Sequence, residues 1–420
     1  MARIYPFQPL RYTEKAGALD HLVTQPYDKI TPEMRARYLA LSPYNLVRII
    51  LGERQPDDSE GSNVYTRAAQ YLKDWTRDLI LAPDPEPAIY PYFQEFTEPD
   101  TGKRLVRKGF IALGAVEDYS AGIVHRHEQT LSGPKKDRLE LLRHTHAHYG
   151  QLFMLYPDPK GEIDHLLDDC TATPPLAEVT DEYGTSHRFW RSGTDDRSLS
   201  SVTPQRIQQL MADKKLLIAD GHHRYETALA FRNENPTLPG ADRVMMTFVN
   251  MYSPGLKILA THRLVNGLAD GYKERLFQAS SFDVREIGST EDLQVLWRKS
   301  DGRSVIGAAV GPKLFSLTEK GAGGSLDVKV LHEKLLGQAL GIGEQAVREE
   351  ANLHYIRGLE AAVEQARKGA AQIAFLLKPT SIQQVADTSF AGGVMPQKST
   401  DFYPKLLSGL TIYRVDDHAQ

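Results

Sequence analysis

The densest chemistry lies in Asp220-Gly221-His222-His223-Arg224. These residues follow the apolar run Leu216-Leu217-Ile218-Ala219. They precede Tyr225, Ala228 and Leu229, which share one helical face. That order predicts a strand that turns at glycine straight into a helix. Such a corner leaves backbone N–H groups at the helix start, where the helix dipole favours an anion. Gly221 permits close backbone approach, and His222, His223 and Arg224 add side-chain donors in the first turn. The chemistry this suits is phosphate binding. The alternative is an ordinary strand–helix corner with a surface histidine pair.

Further cations widen the candidate set. Lys135 and Arg138 flank Asp137 at the start of an expected helix whose apolar face includes Leu141, Leu142 and Thr145. An acid there stabilises the helix dipole, whereas Lys135 and Arg138 are candidate phosphate contacts. Lys398-Ser399-Thr400 has the ending of a P-loop without its upstream GxxxxG. A P-loop is rejected, and Lys398 is kept as a phosphate contact. For a metal, Asp220, His222 and His223 form a compact group, and His144, His146 and His148 add imidazoles. His144 and His148 have the i, i+4 spacing of a zinc pair but no adjacent Glu as in HExxH, so solvated histidines are expected. Mg²⁺ prefers oxygen, which makes Asp220 the metal candidate beside a bound nucleotide.

The Asp220–Arg224 box resembles the phosphate-binding box of the ParB/sulfiredoxin superfamily, and its Asp-Gly-His-His-Arg form is most similar to the free L-serine kinases. Nearly the whole chain is similar to the bacterial family of domain of unknown function 1015. The similarity runs from Pro26-Tyr27-Asp28 through Met395-Pro396-Gln397-Lys398-Ser399-Thr400 to Phe402-Tyr403-Pro404-Lys405. The resemblance implies a second motif in Arg126-His127-Glu128-Gln129-Thr130. In the serine kinases a His-Glu pair supplies the base that deprotonates the substrate hydroxyl, which makes Glu128 the candidate base. A carboxylate beside a cation-rich phosphate site suits that task chemically. It also implies a small hydroxyl acceptor, expected to be L-serine, and ATP, ADP or diphosphate as donor. Asp220, His222 and Arg224 join Glu128 as expected catalytic residues.

Several elements must position these groups. Helices are expected over Pro32–Leu41, after the Thr31 N-cap, and over Asn63–Leu79. Strands are expected over Ala88–Phe96 and Arg104–Val116, joined by the turn residues Asp100-Thr101-Gly102. Lys136–His148 reads as a helix and Leu152–Tyr156 as a strand. Thr203-Pro204 opens another helix, followed by a strand at Lys215–Ala219, a helix at His222–Asn233 and a strand at Arg243–Met251. Later come helices over Val328–Leu340, Gly343–Asn352 and Leu359–Lys368, and a buried strand at Ile373–Leu377.

The mixture predicts an α+β protein: a ParB/sulfiredoxin-like catalytic core with additional mixed α/β N- and C-terminal regions. The expected division is 1–118, a core at 119–270 with an insertion at 136–214 that loops out, and 271–420, with the N- and C-terminal regions free to pack together. At 420 residues the chain needs more than one core. Fifty Lys and Arg against 54 Asp and Glu leave a formal charge of −4, which gives no basic footprint for nucleic acid. The single Cys170 excludes an intramolecular disulfide framework, and no apolar run reaches the ~20 residues of a membrane span. A cytoplasmic phosphotransferase acting on small molecules is the leading expectation. A nucleotide-binding regulatory protein without kinase activity and a metal-dependent hydrolase are the alternatives.

Overall fold

The computed structural model describes residues 1–128, 132–192, 203–321 and 323–415. It is an α+β fold in two units. One comprises Met1–Lys257 with Pro404–Gln420, and the other Ile258–Tyr403.

The first unit is built on a mixed sheet whose strands run in the order Val124–His125, Leu216–Asp220, Leu152–Tyr156, Arg243–Asn250, Arg104–Ala115, Tyr90–Thr97, Ser186–Phe189 and Ala177–Thr180. Ile4–Tyr5 adds to Arg104–Ala115. Leu152–Tyr156 is buried at every position, as is Leu216–Asp220 up to its last residue. Both therefore read as continuous apolar runs rather than alternating ones. Their side chains join Phe110, Met246, Phe248, Tyr225 and Ala228 in one core.

This sheet corrects two expectations. Strands from 1–118 pair with strands from 119–270, so a cut at 118 would divide a single hydrogen-bonded ladder. The segment expected to loop out at 136–214 instead supplies Leu152–Tyr156, a central strand. Its five fully apolar-facing positions are too valuable to the core to lie outside it.

Local signals explain most helices. Thr31 caps Pro32–Leu41 by accepting from Met34 N–H, and Asn63 caps Val64–Arg77 in a capping box. The helix expected to end at His148 spans Ser132–Thr145. His146 takes φ +48°, which stops it, and Ala147–His148 pairs with Tyr413–Arg414 as strand. His144 and His148 thus do not share a helix face, and the zinc-type spacing is lost.

In the second unit, six antiparallel strands run in the order Phe282–Ile287, Lys313–Glu319, Val305–Val310, Ile373–Leu376, His262–Val265 and Leu353–Ile356. Alternate residues serve opposite faces. Ile306, Ala308 and Phe375 pack with Leu331, Leu335 and Leu336, while Val305, Ala309 and Ala374 pack with Leu293, Ala362 and Val363. The helix expected over Val328–Leu340 is α-helical only at Asp327–Val330 and continues as a π-helix over Leu331–Ala339. Gly343–Asn352 is helical only at Glu344–Arg348. Among the described residues no helix is long and apolar enough to cross a membrane.

Candidate functional site

Sheet pairing assembles the site. Val124–His125 lies parallel to Leu216–Leu217, so Arg126-His127-Glu128 and Asp220-Gly221-His222 leave the sheet at the same end. His127 Nδ1 extends the ladder with a 2.8 Å bond to the Ile218 carbonyl. Gln129 and Thr130, the rest of that motif, lie outside the described residues. On its other side, Leu216–Asp220 carries a bulge, because Ile218 pairs with Met154 and Asp220 with Phe153. Ala219 is the extra residue, and the bulge turns the strand end just where Asp220 must be aimed.

Gly221 then holds φ +98° as the N-cap of the thirteen-residue helix His222–Glu234, and as a glycine it brings no capping side chain of its own. A Cβ at this position would lie 2.9 Å from Leu152 Cδ2 and 3.0 Å from Arg224 Nη2. Glycine is required here on both counts: left-handed backbone and crowding. The first turn presents its N–H groups beside His223 and Arg224.

Around Asp220 the electrostatics are strongly biased. Burial pushes its carboxyl up, but Lys405, Arg224 and Lys29 outweigh that and hold it well below the usual carboxylate range. Arg224 Nη2 donates to Asp220 Oδ2 at 3.1 Å and its Nη1 to the Gln151 carbonyl at 2.5 Å. Lys405 Nζ stands 4.0 Å from Oδ1. An ionised carboxylate with one oxygen beyond hydrogen-bond reach of that ammonium fits a hard cation such as Mg²⁺.

His222 departs from the expected role. It is buried, and burial, with the nearby His127, pushes its pKa far down, so it is a neutral imidazole and not a cationic donor. Its Nε2 accepts the His127 backbone N–H at 3.4 Å, which leaves Nδ1 as the protonated nitrogen, 3.9 Å from Glu128 Oε2. The two imidazole rings meet edge-on at 4.6 Å. Burial also pulls His127 down to about 4. Ligand atoms of His127, Glu128 and His222 lie within 4.8 Å of one another, but with Nδ1 protonated and Nε2 accepting a backbone N–H, His222 has no lone pair to offer a metal.

The other expected contacts divide. Lys135 pairs with Glu226 at 3.6 Å, on the helix that starts at His222, and Arg126 pairs with the same carboxylate at 3.4 Å. Arg138 bonds Asp137 and the Ile50 carbonyl and covers the Tyr27 ring at 4.3 Å. Arg138, Tyr27, Tyr149 and Arg224 line one cavity of about 60 Å³. Lys398 belongs to the 258–403 unit. Sequence reasoning assigned no role to Lys405, Lys29, Tyr27 or Glu226. Tyr27 and Lys405 stand inside the Pro-Tyr-Asp and Tyr-Pro-Lys motifs and Lys29 directly follows the first, and that was the signal available.

Fold and site together define an α+β protein whose glycine-turned strand–helix corner faces a cation-rich, partly buried carboxylate. The profile of the family described as "Protein of unknown function (DUF1015)" matches residues 4–332, and the chain belongs to that family. No curated protein matches it. Among solved structures it is similar to a free serine kinase in complex with AMP, with 17% identity and a TM-score of 0.36, covering 69% of this chain and 89% of the other. A conserved hypothetical protein from Pyrococcus furiosus has 15% identity and a TM-score of 0.36, covering 70% and 93%. SbnI from Staphylococcus aureus has 11% identity and a TM-score of 0.35, covering 71% and 87%.

Proposed function

We propose that the chain is a phosphotransferase that moves a phosphoryl group from a nucleotide or diphosphate to a small hydroxyl compound, with free L-serine as acceptor and O-phosphoserine as product. The observation that carries this reading is the convergence of Glu128 with the first turn at Gly221–Arg224, which opens at a glycine. A base and an anion-facing helix end meet at one sheet edge.

The donor's phosphates lie against the N–H groups of the first turn, with His223 and Arg224 as side-chain donors. Lys135 and Arg138 are the outlying candidates for further phosphate contact. Asp220 would hold a Mg²⁺ ion, which would supply positive charge to offset that of the donor's phosphates. The acceptor oxygen attacks the terminal phosphorus, a new O–P bond forms, and the bridging P–O bond breaks. The electron pair of that bond leaves with the donor's remaining phosphate, and the hydroxyl proton passes to Glu128. His222 holds its Nδ1–H 3.9 Å from Glu128 Oε2, which keeps a neutral polar group rather than a competing cation beside the base. Positioning and electrostatics supply most of the barrier reduction.

The test is incubation of the protein with Mg²⁺, L-serine and ATP, ADP or diphosphate in turn, with products read by mass spectrometry. O-phosphoserine formed with one of these donors is the expected result. Saturable nucleotide binding with no phosphorylated product from serine or a wider amino-acid pool would replace the reading with a nucleotide-binding regulator.

A further inference from the structure

The 258–403 unit holds a second concentration of positive charge, and no carboxylate among the described residues bonds its central member. Arg263, in the strand His262–Val265, is 1% exposed. Its guanidinium donates only to carbonyls: Thr261, Lys398 at 2.8 Å and Gln397 at 3.4 Å. Its Nε is buried without a partner. Burial lowers its pKa to about 10, so it stays charged at neutral pH. A buried charge without a counter-charge is costly, and proteins retain one where something else completes it.

Three neighbours point the same way. Tyr355 lies under the guanidinium, its ring centroid 5.4 Å from Arg263 Cζ, and its hydroxyl is buried without a partner. Lys398 Nζ lies 6.0 Å from the same ring. His332 Nε2 is also a buried atom without a partner, and the charge of Arg263 acts on that imidazole. Glu350 acts electrostatically on Tyr355 but bonds none of the four. His332 sits in the π-helix Leu331–Ala339, a geometry common at functional sites. Lys398 holds φ +56°, a conformation that costs a non-glycine residue energy. Its segment is strapped down by Arg263 at the Lys398 carbonyl, by Thr380 donating to the Ser399 carbonyl, and by Ser399 donating to the Pro396 carbonyl.

We propose that Arg263, His332, Tyr355 and Lys398 form an anion site within the 258–403 unit that takes a phosphate group. Two cationic donors and two neutral ones suit a tetrahedral oxyanion with at least three acceptor oxygens better than a two-oxygen carboxylate. The site is built from residues of the 258–403 unit alone, and its existence does not depend on the proposed kinase reaction.

The experiment is equilibrium dialysis of the full chain against inorganic phosphate and, in parallel, O-phosphoserine. The tighter ligand identifies whether free phosphate or a phosphate monoester is the natural source. Tyr355→Phe removes one unpartnered hydroxyl and is expected to leave the melting temperature unchanged. It should weaken phosphate binding about tenfold, as should Lys398→Met, and the double variant should abolish this class of sites. Arg224→Ala should leave it intact. If the kinase reading fails, this class is still present in the wild type and still lost in the double variant. Phosphate binding unaffected by both substitutions, or no saturable binding by the wild type, overturns the proposal.

Discussion

Glu128 and the Gly221–Arg224 turn perform separable tasks, so substitution at Glu128 distinguishes catalysis from binding. Glu128→Gln keeps size and shape but removes the proton acceptor. Turnover is expected to fall by about 10²–10⁴, the usual effect of losing a general base, while donor affinity changes little. Kinetics combined with nucleotide titration read both quantities. Near-normal turnover in the variant would transfer the base's role to Asp220 or Asp137. His127 makes a second residue-scale prediction, this time for stability. Its imidazole is buried and bonded to the Ile218 carbonyl, with a folded pKa of about 4 against an ordinary value near 6.5. A depressed pKa means that the unfolded chain takes the proton first as pH falls. The stability contributed by the neutral ring is therefore full above pH ~6.5 and is lost progressively down to pH ~4, at most about 3 kcal/mol. Urea unfolding at pH 7 and pH 5 checks this. His127→Gln should flatten the pH dependence, and an unchanged slope would show that the ring is not held neutral.

At the scale of elements, the decisive feature is the strand–helix corner. Gly221→Ala places a methyl group against Leu152 and the Arg224 guanidinium in a left-handed backbone that costs an L-residue roughly 1–2 kcal/mol. Donor affinity is expected to fall about tenfold or more, with a measurable loss in urea unfolding. Unaltered donor titration would remove the close-approach argument. The corner itself was legible in the sequence, since an apolar run, a glycine and a helical pattern occur without interruption, and both element boundaries fell within a residue or two. The pairing that completes the site was not legible. Val124–His125 is only two residues long, and no periodicity marks so short a strand. Nor does anything local announce the bulge at Ala219, which is set by pairing with Leu152–Tyr156. His222 was misjudged for a related reason. Its place in a first turn suggests a solvent-facing donor, whereas tertiary packing against His127 buries it. Lys405 is distant in sequence from everything it affects.

At the scale of the whole molecule, residues 404–415 close the first unit. Ser408 bridges to Thr24, Ile412 to Leu10, and Tyr413–Arg414 pairs with Ala147–His148. The Pro404 carbonyl accepts from Arg107, a buried guanidinium that also covers Phe153 at 4.5 Å. Leu410, Ile412, Tyr413 and Val415 are essentially inaccessible. Truncation after Tyr403 strips away these contacts and the main cation that keeps Asp220 ionised. Calorimetry of the truncated chain should show the transition of the 258–403 unit without that of the first unit. Two intact transitions would mean that the closing segment is dispensable. Because the first unit is discontinuous, ribosomal synthesis imposes an order on it. The Ile258–Tyr403 stretch emerges as an uninterrupted block and is able to fold while the earlier 257 residues still lack their closing segment. At typical translation rates that wait is on the order of ten seconds, during which the hydrophobic faces awaiting Ile412 and Tyr413 are candidates for chaperone binding. Lys405 is made after the whole of the 258–403 stretch, so a chain terminated before it carries the Asp-Gly-His-His-Arg box without the charge that sets its carboxylate.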